Sequence, residues 1–281
     1  MQVAKKLIND RLFPLYCKQE IESISRLIFE KICGFSGLRL HLKQNETISA
    51  ANLAQITDII NRLLQFEPIQ YIFGETEFYG LIFKVNPGVL IPRPETEELV
   101  EWMINDYKQL APTILDIGTG SGCIPIALLK NLPGASAVGW DISSEALAVA
   151  KENAKINHVD IDFQYVDILK TIYPAHKEAF DVIVSNPPYV TTSDRKLMHK
   201  NVIEWEPHIA LFVPDNDALV FYRAIADVAL HLLKSGGNLF LEINEKYGKE
   251  VSALLELKGF SNLILRKDIN GKERMIKAEL K

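Results

Sequence analysis

Cysteine is scarce in this chain, and the three present, Cys17, Cys33 and Cys123, form no C-x-x-C pair. Such spacing supplies neither a zinc ligand set nor a disulfide framework, so reduced thiols in a cytoplasmic protein are expected. No apolar run is long enough to span a bilayer. The opening "MQVAKKLINDRLF" lacks the uninterrupted apolar stretch and small-residue cleavage site of a secretory signal. Positive charge is also short. The formal net charge is −5 and no basic tract occurs, whereas proteins that hold nucleic acid through its phosphates carry a basic face. The imbalance is uneven. Residues 1–66 hold nine Lys or Arg against six Asp or Glu, so a modestly basic front precedes an acidic remainder. Either a solvated helical surface or a dock for an acidic partner would produce that excess.

What is present suits one large domain and one small one in 281 residues. Ile21, Ile24, Leu27, Ile28 and Ile32 recur at helical spacing, as do Leu53, Ile56, Ile59, Ile60 and Leu63. Residues 1–66 therefore read as a small helical domain, with Thr47 or Ser49 capping a helix. The composition changes at Glu67-Pro68. Residues 67–92 read as a linker whose "YIFGETEFYGLIFKV" looks like a β-hairpin. From 93 to 281, short apolar runs alternate with helical patterns, which implies a mostly parallel sheet with helices on both faces. A long helix over "DALVFYRAIADVALHLLKSGG" is expected to close on its glycines. Asn270-Gly271 predicts a final hairpin that adds an antiparallel strand.

Two stretches carry chemistry. "LDIGTGSG" (Leu115–Gly122) joins the first strand of the sheet to its helix, and its glycines let the backbone bend and approach a ligand closely. A dinucleotide loop would have a third glycine where Cys123 stands. Asp141 follows about twenty residues on, at a strand end where a carboxylate can accept ribose hydroxyls. Asp167, after the next strand, is placed to meet an adenine edge. A glycine loop, a strand-end acid and no phosphate-binding lysine point to S-adenosylmethionine as cofactor.

"SNPPYV" (Ser185–Val190) leaves the fourth strand toward the same cleft. Prolines fix φ and donate no backbone hydrogen bond, so the turn is stiff and rich in acceptors. The Asn186 side-chain oxygen and the Pro187 carbonyl could hold both hydrogens of a planar NH₂ group and favour its pyramidalisation toward a methyl donor. Tyr189 could stack on that group and face the sulfonium with its π cloud. The nitrogen needs no base beforehand, which agrees with the lack of His or Cys in the motif. A rigid turn ending a strand is the purely structural alternative.

These residues resemble the release-factor glutamine methyltransferases, along nearly the whole chain. "EPIQYIFGETEFYGLIFKVNPGVLIPRPETEELV" (Glu67–Val100), "LDIGTGSG", "DIS" with "EALAVAKENA", "SNPPYV", "EWEPHIAL" (Glu204–Leu211) and "KDINGKERM" (Lys267–Met275) follow the family's order. Asn-Pro-Pro-Tyr by itself is shared with enzymes that methylate adenine or guanine amines; the "LIPRPETEELV" segment is far more specific. The resemblance implies a class I AdoMet-dependent methyltransferase fold, with a seven-stranded sheet and a helical partner-binding domain in front. It implies methyl transfer to the Gln of the Gly-Gly-Gln motif of class I peptide chain release factors, which would be the protein partner. By that similarity Gly118, Thr119, Gly120, Ser121, Gly122, Asp141, Asp167, Ile168 and Asn186 would hold the cofactor. Asn186, Pro187, Pro188 and Tyr189 would frame the glutamine, while Arg93, Pro94 and Glu95 would wall the cleft, unless Glu95 simply starts a helix. Glu206 and Arg274 would position loops, and no metal is implied. The chain departs from the family at Asn244 and Tyr247-Gly248, where Gly and Gln-Gly are common, and at Ile168, where an aromatic sometimes stands. A nucleic-acid amine methyltransferase and a non-catalytic binding module are the competing readings.

Overall fold

The computed structural model describes residues 1–35, 37, 39, 42, 46–170 and 179–281. They divide into two compact units, Met1–Phe73 with Lys200–Trp205, and Gly74–His199 with Glu206–Lys281.

In the first unit, helices α1 (Gln2–Leu12), α2 (Lys18–Cys33) and α3 (Ala50–Leu63) enclose a core that includes Ile8, Ile21, Ile28, Ile56 and Ile60. The Cys17 amide donates to Glu20 Oε2 at the start of α2, and Gly34 ends that helix at φ 67°. Ser49, not Thr47, caps α3 by accepting from the Asn52 amide at 3.1 Å. Leu27 departs from its expected core position and is exposed. The unit also runs past the expected break at Glu67-Pro68. Ile69, which opens the one-turn helix α4 (Ile69–Phe73), is buried in this core, and Arg62 pairs with Glu67 while donating to the Ile72 carbonyl.

The second unit begins with the hairpin β1 (Glu75–Phe78) and β2 (Leu81–Lys84), turned by Tyr79 and Gly80 at φ 49° and 72°. Positive φ at both central residues gives the turn the twist its strands need. Then come α5 (Pro94–Tyr107), β3 (Thr113–Ile117), α6 (Cys123–Asn131), β4 (Ser136–Asp141), α7 (Ser144–Ile156), β5 (Asp162–Tyr165) and β6 (Phe180–Ser185). A short parallel pair, β7 (Val190–Thr191) and β8 (Phe212–Val213), flanks α8 (Lys200–Trp205) in sequence. The chain finishes with α9 (Val220–Leu232), β9 (Leu233–Glu242), α10 (Gly248–Leu257), β10 (Phe260–Lys267) and β11 (Glu273–Leu280).

The main sheet has seven strands in the order β10-β11-β9-β6-β3-β4-β5, antiparallel only at the β11 pairings. Its strands are apolar on both faces. Ile114, Val182, Val184 and Phe240 pack on one side with α5, α6 and α7, and Leu115, Ile183, Leu239 and Leu241 pack on the other with α9. β3 lies between β4 and β6, so the chain leaves in opposite directions at its carboxyl end and opens a crevice there. The expected glycine closure of α9 is not what occurs. The helix stops at Leu232, and Leu233 is extended, buried and paired with Phe180, so the Lys234–Gly237 stretch already belongs to β9. Burial of Leu233 against the sheet outweighs the capping signal.

Candidate active site

At the crevice, Gly118 and Gly120 take φ values of 73° and 54°. The amides of Gly118 and Thr119 donate to the Trp140 carbonyl, and that of Gly120 donates to Asp141 Oδ2 at 2.8 Å, which straps the loop to the end of β4. A Cβ added at Gly118 or Gly120 would meet nothing within 4 Å. That open space is part of a cavity of about 340 Å³ lined by both glycines. Gly122 serves a different purpose. A Cβ there would lie 3.1 Å from Ile126 and 3.2 Å from Ala150, so this glycine permits close packing of α6 and α7. Thr119 and Ser121 are buried and, with Gly122, lie outside the cavity lining.

Asp141, Asp167, Ile168, Asn186, Pro187 and Pro188 line the cavity. Asp141 accepts from the Gly120 and Ser143 amides, so its carboxylate is aimed, while burial pushes its pKa up. Asp167 accepts from the Leu169 amide and pairs with Lys170 at 3.0 Å. The cavity thus offers two carboxylates, exposed backbone and a largely apolar wall, and its one lysine is already paired. This donor set fits a phosphate-free ligand bearing a diol and a positive charge better than a dinucleotide. Val89, Leu90, Trp140, Ile209 and Phe221 complete the wall and were missed in the sequence, since apolar residues brought in from separate loops have no local signature. Among the described residues no cluster of His, Cys, Asp or Glu suits a metal. Asp141→Asn is expected to weaken S-adenosylmethionine binding by about tenfold or more, the scale of losing a charged hydrogen-bond acceptor. Calorimetric titration of the folded variant checks it.

The diproline turn is held by a buried chain of polar groups. Asn186 Nδ2 donates to Thr96 Oγ1 at 3.1 Å, Thr96 Oγ1 donates to Glu242 Oε2 at 2.6 Å, and the Tyr189 hydroxyl donates to Glu242 Oε1 at 3.0 Å. Asn244 Nδ2 donates to the Tyr189 carbonyl, so the residue that departs from the family pattern fastens this turn. Tyr189 itself is absent from the cavity lining. Its ring lies under the Arg274 guanidinium at 5.9 Å. Neither Thr96 nor Glu242 has a local signature in the sequence, because they meet each other only after α5 and β9 pack together.

Arg93, Pro94 and Glu95 do not line the cavity either. Pro94 opens α5 in the first-turn position that suits proline, and Arg93 pairs with Glu206 at 2.6 Å. Glu206, 4% exposed, also accepts from the Ile91 amide, and so anchors the segment that follows Val89 and Leu90. Arg274 donates to Asp268 and to the Ile243 carbonyl, which ties the last hairpin to the end of β9. Both side chains thus position loops.

The Methyltransferase small domain matches residues 94–206, and the PrmC N-terminal domain matches residues 17–74. The chain is 47% identical over 274 residues to a release factor glutamine methyltransferase of Flavobacterium psychrophilum, covering 96% of this chain and 95% of that one. It is 43% identical over 271 residues to the one of Bacteroides thetaiotaomicron, covering 96% and 97%. Among solved structures, the hMettl16 catalytic domain in complex with MAT2A 3'UTR hairpin 6 shares the fold, at 15% identity and a TM-score of 0.56 over 83% of this chain and 82% of that one.

Proposed function

The chain belongs to the release factor glutamine methyltransferase family, and from that premise we propose that it moves the methyl group of S-adenosylmethionine onto the side-chain nitrogen of the Gln in the Gly-Gly-Gln motif of class I peptide chain release factors. The observation that carries this reading is the Asn186 carboxamide, fixed in the cavity lining on a turn that two prolines keep stiff. When bound, the cofactor supplies an electrophilic methyl carbon on a sulfonium.

The protein's own groups do the rest. Gly118 and Gly120 let the backbone approach the cofactor, and the aimed Asp141 carboxylate accepts from its ribose hydroxyls. The Asn186 oxygen and the Pro187 carbonyl hold the two hydrogens of the target amide and orient its nitrogen. An amide nitrogen shares its lone pair with the carbonyl; acceptors that draw its hydrogens out of plane favour the reactive shape, and a rigid turn needs little reorganisation to do so. The proton leaves after transfer, so no base is required within the turn. The helical unit, with its basic excess, is the part assigned to grip the release factor. Such work belongs in the cytoplasm, and no helix among the described residues is long and apolar enough to cross a membrane.

The test uses labelled S-adenosylmethionine with an intact release factor, the same factor carrying Gln→Ala in its Gly-Gly-Gln loop, or nucleic acid. Label confined to the intact factor is expected. Label in nucleic acid, or none despite cofactor binding, overturns the reading.

A further inference from the structure

A carboxamide has two ends of nearly the same shape, one an acceptor and the other a double donor. If Asn186 offered its NH₂ to the target amide, two donors would face each other and the site would repel its substrate. Something must therefore decide which end faces the target. Within the Asn-Pro-Pro-Tyr turn the two prolines offer no backbone N–H to hold the Asn186 oxygen.

We propose that Thr96 and Glu242 are positioning residues that lock the Asn186 carboxamide with its nitrogen inward, so that its oxygen is the end presented to the target amide. This rests on the function proposed above. The direction of each hydrogen bond follows from Glu242. It is 1% exposed and meets two hydroxyls, from Thr96 at 2.6 Å and from Tyr189 at 3.0 Å. A carboxylate can only accept, so both hydroxyls donate to it. Thr96, having given its single hydrogen to Glu242, keeps only lone pairs for Asn186. The carboxamide must then offer Nδ2 to Thr96, at 3.1 Å. Two hydrogen bonds in series pass the polarity of a buried carboxylate to the carboxamide that faces the target.

A protonated Glu242 would undo this polarity. Its new hydrogen could go to Thr96, which would free the threonine hydrogen for Asn186 Oδ1 and turn the amide around. The surroundings of Glu242 act in both directions. Burial, the largest influence, and Glu95 on α5 favour the neutral acid and hold the Glu242 pKa above the usual carboxylate value, against Thr96, Tyr189 and the Arg274 guanidinium of β11, which favour the carboxylate. Tyr222 of α9 and Cys123 of α6 also feel its charge, and burial pushes both groups well up, Cys123 to about 12, so both stay neutral near pH 7. The inward lock is therefore present above the pKa of Glu242 and lost as pH falls through it.

Three variants in the full chain test this. Thr96→Val keeps the shape and removes the hydroxyl; it is expected to lower kcat by about tenfold to 10²-fold with the cofactor Kd within about threefold of wild type. Thr96→Ser restores the hydroxyl and is expected to recover kcat to within about threefold. Glu242→Gln is expected to remove the acid limb that Glu242 gives the wild-type kcat profile. Cofactor binding shows that each variant is folded. The side-chain NH₂ signal of Asn186, identified by its absence in Asn186→Ala, is expected to move in Thr96→Val and return in Thr96→Ser. Wild-type turnover in Thr96→Val, or an unmoved Asn186 signal, overturns the proposal. Because that signal is read without any release factor, a protein that failed to methylate one would sink the proposed substrate and still leave the lock open to refutation.

Discussion

Asn186→Ala is expected to bind S-adenosylmethionine within roughly tenfold of wild type while turning over ~10²-fold or more slowly, the scale set by deleting one group that acts in the transition state. The two effects separate for a structural reason. The cavity is formed largely by other residues, from the Gly118–Gly120 loop, from Asp141 and from the apolar wall, so removing one lining side chain leaves most of the cofactor's contacts. The diproline turn also stays pinned, because Tyr189 still reaches Glu242 and Asn244 still reaches the Tyr189 carbonyl. What disappears is the acceptor for a target hydrogen. Single-turnover kinetics beside calorimetry would resolve the pair of effects. Turnover near that of wild type would remove Asn186 from the mechanism.

A second large effect concerns pH and Asp116, directly beneath the glycine loop. Its carboxyl is fully buried, and neither oxygen has a hydrogen-bond partner among the described residues. Burial outweighs the neighbouring Thr119 hydroxyl and raises its pKa to about 7. In the unfolded chain the same group ionises near 4. Between those values the folded state holds a proton that the unfolded state has released, so stability must fall as pH rises from about 4 to about 7. From pH 5 to pH 8 this one group is expected to cost the wild type about 2 to 3 kcal/mol, at roughly 1.4 kcal/mol per unit. Asp116→Asn cannot ionise and should lose that much less over the same interval. Urea unfolding of both proteins at the two pH values measures the difference. Parallel pH dependences would mean that the carboxyl is solvated or paired in solution.

Much of the site was legible because it is local in sequence. Gly118, Gly120, Asp141, Asp167, Ile168, Asn186, Pro187 and Pro188 stand at or just beyond strand ends, and parallel strands bring such ends to one edge. Alternating strand and helix patterns likewise carried the sheet and its final hairpin. Other contacts were not legible. Gly122 lets two helices pack, Tyr189 bonds Glu242, and Arg93 pairs with Glu206. Each of these residues is set by a partner distant in the chain.

By itself, then, the sequence determined the order of elements, the flexible glycine bend, the stiff diproline turn and the strand-end acids, all of which depend on backbone preferences within a few residues. Only the tertiary structure decided that Thr96 and Glu242, 146 positions apart, would meet beneath Asn186. It also decided that apolar residues from separate loops would close the cavity wall. Neither outcome has a spacing rule, because each comes from packing whole helices against a sheet and then satisfying the polar groups that packing buries.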